Sequence, residues 1–143
     1  MHLVIASDHA GFKLKELFKK ELLSKGHTVD DLGPSTADRT DYPDFAHKLA
    51  RDIAAHAHEF GVLVCGSGIG MAMAANRHKG VRAAVINNEE EARLSREHNN
   101  ANVACFGERA LSPEEAVRFL QIFLDTPFSG GRHAIRVQKI ELT

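Results

Sequence analysis

Val62–Gly70 reads VLVCGSGIG, an apolar run that ends in a cysteine and passes into three alternating glycines at the start of a helix. Val62, Leu63 and Val64 have the continuous apolar character of a strand buried on both faces of a parallel sheet. Gly66, Gly68 and Gly70 let backbone approach a ligand closely. Backbone N–H groups at such a turn point toward an anion, and the helix dipole adds partial positive charge. The turn can therefore hold an enolate oxygen or a phosphate, and it makes Cys65 a candidate for reactive sulfur chemistry. Taken alone, Cys65 reads equally as a small buried hydrophobe at the end of a core strand.

Outward from this stretch, apolar runs alternate with amphipathic ones, and no Pro/Gly/Ser linker, repeat or low-complexity segment divides them. His2–Ser7 reads as a strand, followed by a helix over 11–24 with Phe12, Leu14, Leu17, Phe18 and Leu22 at helical spacing and Gly26 as its stop. Thr28–Leu32 is a weaker strand and 33–43 a polar loop. A helix over Tyr42–His58 carries Phe45, Leu49, Ile53 and Ala57 on one face. Then come a strand at 61–65, a helix at 68–76, a strand at 81–86, a helix at 89–98 and a strand at 102–106. Ser112, Pro113 and Glu115 mark the start of a helix that runs to Leu124, and 131–142 reads as a helical tail. Strands separated by helices of this length imply right-handed crossovers. The fold class is therefore α/β, a three-layer Rossmann-like sandwich around a five-stranded parallel sheet.

Ligands in such folds bind at the carboxyl ends of the strands. Asp8 and His9 after the first strand, Cys65–Gly70 after the third and Gly107–Arg109 after the fifth should therefore converge. His98 and Asn99, at the end of a helix, fall near the opposite rim.

The chain has 143 residues, 43% hydrophobic and 26% charged, which fits one domain over 1–143 that buries on the order of two-thirds of its unfolded surface. A net charge of −1 provides no basic field to recruit nucleic acid or an anionic membrane. The first apolar run reaches Asp8 too soon for a signal or a membrane span, so the expected location is cytoplasmic. Cys65 and Cys105 lack both a CxxC spacing and a secretory context, which argues against a disulfide; Cys105, with no glycine turn after it, is assigned to the core. His56 and His58, read as helical, lack a carboxylate or cysteine partner at ligand spacing, so no metal is expected.

The pieces SDHAG (7–11), RTDYPDFA (39–46), CGSGIG (65–70), AAN (74–76), SREHNNANV (95–103), FGER (106–109) and GGRHAIRV (130–137) resemble, in order and spacing, the ribose-5-phosphate isomerase B family of sugar-phosphate isomerases. That family includes galactose-6-phosphate isomerase subunits and members acting on allose phosphate or free rare sugars. The resemblance covers nearly the whole chain. It implies an aldose–ketose isomerase without cofactor, and a small-molecule sugar phosphate as substrate. It also implies a homodimer with shared active sites, a tetramer being the alternative assembly. The C-terminal helical tail would cross to the partner subunit.

Aldose–ketose isomerisation needs the ring opened, a proton removed beside the carbonyl, an enediolate stabilised and the proton returned. By resemblance Cys65 is the base, and the equivalent of His98, aided by Asp8, opens the ring. His9 meets the phosphate, and Asn99 binds near the reacting oxygens. Ser67 can donate to the enediolate beside the N–H groups of Gly66, Gly68 and Gly70, or only cap the next helix. Many relatives carry threonine there, which bears on the substrate. Arg109, Arg132 and Arg136 match the phosphate-binding arginines, and guanidinium forks suit a dianion; by pattern alone Arg132 and Arg136 are a solvated helix face. Tyr42 lines the sugar pocket in similar proteins or packs at a helix start. Two other classes compete: a flavodoxin-like nucleotide-binding module, which lacks a full GxGxxG, and a cysteine hydrolase pairing Cys65 with His98.

Overall fold

The computed structural model describes residues 1–142. Its strands are β1 (His2–Ser7), β2 (Thr28–Asp31), β3 (Phe60–Cys65), β4 (Ala83–Val85) and β5 (Val103–Gly107). Its α-helices are α1 (Phe12–Ser24), α2 (Tyr42–Ala54), α3 (Ile69–Ala75), α4 (Glu89–Glu97), α5 (Pro113–Asp125) and α6 (Arg132–Gln138), with a short 3-10 turn at His9–Gly11. All five strands are parallel, in the order β2-β1-β3-β5-β4.

Strand β3 lies in the middle of the sheet, and all six of its residues are buried, as the apolar run that opens the sequence requires. On one face Leu3, Ile5, Val62, Val64, Ala104 and Phe106 pack against α1, α4 and α5. Phe18 and Phe106 meet there at a tilted 4.9 Å. On the other face Val4, Ala6, Leu63, Cys65 and Cys105 pack against α2 and α3. The two clusters make a three-layer α/β sandwich. The start of α5 carries the full capping box, with Glu115 N–H donating to Ser112 Oγ at 3.2 Å and Ser112 N–H donating to Glu115 Oε1 at 3.1 Å. Such a cap stabilises a helix by about 1 kcal/mol.

Three elements are shorter than their sequence patterns. Helix α2 stops at Ala54 because Ala55 caps it and His56 turns into the left-handed region (φ 58°); Ala57, expected on the buried face, is exposed. Strand β4 keeps only 83–85, since Arg82 N–H donates to the side chain of Asn102 at 2.8 Å instead of to a ladder partner. Helix α6 ends at Gln138 and buries none of its residues. The chain beyond it is drawn onto the entrance of β4, where Glu141 accepts the Gly80 N–H at 2.8 Å. No helix among the described residues is long and apolar enough to cross a membrane.

Candidate active site

The chain leaves β1 toward β2 on one side and returns through α2 to place β3 on the other side of β1. That reversal opens a crevice at the carboxyl ends of β1 and β3, the usual binding place in an open α/β sheet. A cleft of about 720 Å³ occupies it, lined by Asp8, His9, Tyr42, Cys65, Ser67 and Arg109 among others. The convergence expected from the strand ends is therefore present.

The turn after β3 is built around its sulfur. Gly68 N–H donates to Cys65 Sγ at 3.1 Å. Gly68 adopts φ 80°, and a Cβ on it would lie 3.0 Å from the Phe106 carbonyl carbon, so a side chain there meets both strain and backbone. Ser67 Oγ accepts the Ile69 N–H at 3.2 Å, but the N-cap of α3 is Gly68 and no side chain caps that helix, so Ser67 is not its cap; its hydroxyl proton is left free to donate into the cleft. The first-turn N–H groups of α3 have no intrahelical acceptor. The ring of Tyr42, at the start of α2, lies so close to Gly70 that a Cβ there would sit 2.5 Å from Cε1. Tyr42 thus lines the cleft as well as starting a helix.

The loop after β5 closes over the same turn: Glu108 N–H donates to Cys65 O at 2.9 Å and Arg109 N–H to Gly66 O at 3.1 Å. Glu108 also accepts the Leu14 N–H at 2.7 Å, tying this loop to the first turn of α1. Asp8 is buried, and its Oδ1 accepts the Gly11 N–H at 3.0 Å. His9 is held by Thr40, whose Oγ1 accepts the His9 N–H at 3.0 Å and whose own N–H lies 3.2 Å from His9 Nδ1. Sequence reasoning gave Thr40 no role and Glu108 only a place in the converging Gly107–Arg109 group; what they do depends on contacts 31 and 94 residues away. Cys105 is fully buried, and burial, with Cys65 nearby as a smaller contribution, pushes its thiol far above the ordinary range. It is a core residue.

His98, Asn99, Arg132 and Arg136 do not line this cleft in the single chain. His98 follows α4 and stacks on His133 of α6, centroids 4.1 Å apart and planes 13° apart. Burial, His98, Arg132 and Arg136 hold the His133 imidazole below its usual value, against a smaller opposing effect of Glu97. Asn99 faces a separate cavity of about 490 Å³ shared with the segment around His78 and with the chain end at Ile140–Leu142. The apolar side chains beside the cleft are open to solvent: Ile69 is 57% and Met73 69% exposed.

One expectation fails at the far rim. His58 is not helical, and a carboxylate does stand at ligand spacing: Asp30 Oδ2 lies 2.6 Å from its Nε2. The short α2 and the left-handed His56 bring the residue back beneath β1 and β2.

Fold and cleft together define an open α/β protein with a cysteine, an acid, a histidine and an arginine at its switch point. Residues 3–140 match the family model described as Ribose/Galactose Isomerase, and the chain belongs to that family. It is 45% identical over 139 residues to a probable ribose-5-phosphate isomerase B of Mycoplasma pneumoniae, covering 96% of this chain and 91% of the relative. The ribose 5-phosphate isomerase structure from Thermotoga maritima superimposes with a TM-score of 0.95 at 47% identity, covering 97% and 96% of the two chains. The ribose-5-phosphate isomerase B of Mycoplasma genitalium, solved with bound ribulose-5-phosphate, has a TM-score of 0.93 at 42% identity, covering 97% and 93%.

Proposed function

We propose that residues 1–143 act as one domain that interconverts ribose 5-phosphate and ribulose 5-phosphate, with Cys65 as the base. The observation that carries this reading is the gathering of Cys65, Ser67, Asp8, His9 and Arg109 in one cleft of a chain whose 42%-identical relative was solved holding ribulose-5-phosphate. Cys65 takes the proton from C2 of the open-chain aldose, leaving an enediolate, and returns it to C1; the hydroxyl proton at O2 passes to O1. Ser67 and the free N–H groups of α3 stabilise the enediolate charge. Arg109 and His9 hold the phosphate, where a guanidinium can bind two oxygens at once.

The remaining groups come from a second copy of the chain in this reading. His98, with Asp8, opens the sugar ring, Asn99 contacts the reacting oxygens, and Arg132 and Arg136 complete the phosphate site. The exposed Ile69, Met73 and Tyr42 beside the cleft, and Ile135 on the unburied α6, support such a homodimer, since clustered exposed apolar side chains favour association.

The test is turnover of ribose 5-phosphate, allose 6-phosphate and galactose 6-phosphate side by side, in water and in heavy water. Ribose 5-phosphate is expected to have the highest kcat/KM, and product formed in heavy water to carry carbon-bound deuterium in at least some turnovers. No turnover of ribose 5-phosphate, or a clear preference for either hexose phosphate, would reverse the assignment.

A further inference from the structure

His2, Asp30 and His58 meet at the end of the sheet away from the cleft. They come from the start of β1, from β2 and from the turn before β3, and one ligand atom of each lies within 4.8 Å of the others. Asp30 Oδ2 is 2.8 Å from His2 Nε2 and 2.6 Å from His58 Nε2. Strand β3 spans six residues, so about 20 Å separates this cluster from Cys65 at ~3.3 Å per residue. We propose that His2, Asp30 and His58 form a binding site for a divalent transition metal of the zinc class, with two imidazole nitrogens, one carboxylate oxygen and an open position for water.

The donor set is chemically matched. Two imidazoles and a carboxylate form a common protein zinc environment, with bonds of roughly 2.0–2.2 Å. Tetrahedral bonds of that length put ligand atoms roughly 3.3 Å apart, so the two Asp30–imidazole separations, 2.8 and 2.6 Å, have to open by only about 0.5–0.7 Å, and all three ligand atoms already lie within 4.8 Å of one another. His2 and Asp30, with side chains 51% and 54% exposed, are free to make that movement. His58 is the fixed member, its side chain 6% exposed, with the left-handed His56 two residues earlier setting the approach.

A second observation lies behind the first. His58 Nδ1 is buried and has no hydrogen-bond partner, yet it faces Asp52 Oδ2 of α2 at 3.6 Å. A metal-bound imidazole usually presents its other nitrogen as N–H to a carboxylate, which sets the tautomer and strengthens the ligand. Metal on Nε2 would place the proton on Nδ1, toward Asp52, and use the atom that is otherwise orphaned. Bound metal would also clip the short edge strand β2 to β1 and to the entry of β3, so its effect is on stability rather than on the chemistry at Cys65.

The test is a titration of chelator-stripped protein with Zn²⁺ and, for its spectrum, Co²⁺. The Cys65→Ala chain is used, so that the cleft sulfur contributes no binding. The expected result is one ion per chain, a raised Tm, and tetrahedral cobalt bands without a thiolate charge-transfer band. His2→Ala and Asp30→Ala, both at exposed positions, are expected to abolish this binding, and Asp52→Asn to weaken it about 10–100-fold. No saturable binding, or binding unchanged in both His2→Ala and Asp30→Ala, would overturn the proposal.

Discussion

The backbone N–H of Gly68 donates to Sγ of Cys65 at 3.1 Å, so the left-handed residue of the turn and the sulfur facing the cleft belong to one closed loop. The loop holds the sulfur at the mouth of the crevice between β1 and β3. Cys65→Ala removes the sulfur without adding volume and should leave far-UV CD unchanged and Tm close to that of the parent. Isomerisation should fall by about 10²–10⁴-fold, the usual contribution of a positioned proton-transfer group. Undiminished kcat would remove Cys65 from the mechanism.

Gly68→Ala probes the other half of the loop. A left-handed non-glycine residue costs about 1–3 kcal/mol, and the added Cβ would press against the Phe106 carbonyl carbon. The variant should have a lower urea midpoint, and kcat should drop more than KM rises, because in the proposed mechanism the turn carries both the sulfur and the enediolate donors. An unchanged midpoint would show that the turn relaxes freely.

Asp31 should dominate one part of the acid response. Burial raises its pKa, but Lys15 at 2.8 Å, the Gly33 N–H at 2.9 Å and Lys19 at 3.2 Å outweigh burial and leave it below the usual carboxylate range. A carboxyl with a lower pKa folded than unfolded adds stability above the unfolded value, and loses it as pH falls through the folded one. Asp31→Asn should therefore be less stable than the parent at neutral pH, with the difference shrinking below about pH 4. Chemical denaturation across pH 2–7 checks this; a constant difference would refute the assignment.

Chelation separates the two sites. Exhaustive EDTA treatment should leave isomerase turnover intact, since the steps assigned to Cys65, His98 and Asp8 are proton transfers. Loss of turnover on chelation, with recovery on adding a divalent ion, would contradict the proton-transfer mechanism.

Replacing both Arg132 and Arg136 with alanine should raise KM for a sugar phosphate strongly, and kcat can fall with it where phosphate binding also supports the transition state. Turnover of a non-phosphorylated sugar should suffer much less. Mixing this double variant with Cys65→Ala chains provides the sharper experiment. If the sites are shared as proposed, heterodimers would contain one site with an intact cysteine from one chain and intact arginines from the other. Recovered activity is the expected outcome; none, despite demonstrated heterodimers, would mean that each chain builds its own pocket.

Local pattern was enough wherever neighbouring residues satisfy one another. The apolar run into Cys65, the alternating glycines, the Ser112–Glu115 capping box and the helical spacing of Phe12–Leu22 each act within a few residues, and each is present in the fold as read. Helix α2 ends locally, at the left-handed His56, whereas the other two element ends that depart from their sequence pattern depend on distant partners. Asn102 takes the Arg82 N–H from 20 residues away and shortens β4, and Gly80 binds Glu141 from 61 residues away and bends the tail.

The candidate site divides along the same line. Asp8, Cys65, Ser67 and Arg109 could be placed together from the sequence because each follows a strand, and parallel strands bring all their carboxyl ends to one rim. What only the tertiary structure decided was which strands are neighbours. The order β2-β1-β3-β5-β4 sets β1 between β2 and β3, and so brings His2, Asp30 and His58 within hydrogen-bond reach across intervals of 28 residues. The same packing leaves His98 stacked on His133, outside the Cys65 cleft of its own chain. Strand order follows from how helices of similar amphipathic pattern share the two faces of the sheet, a competition among long-range contacts that no local window of sequence contains.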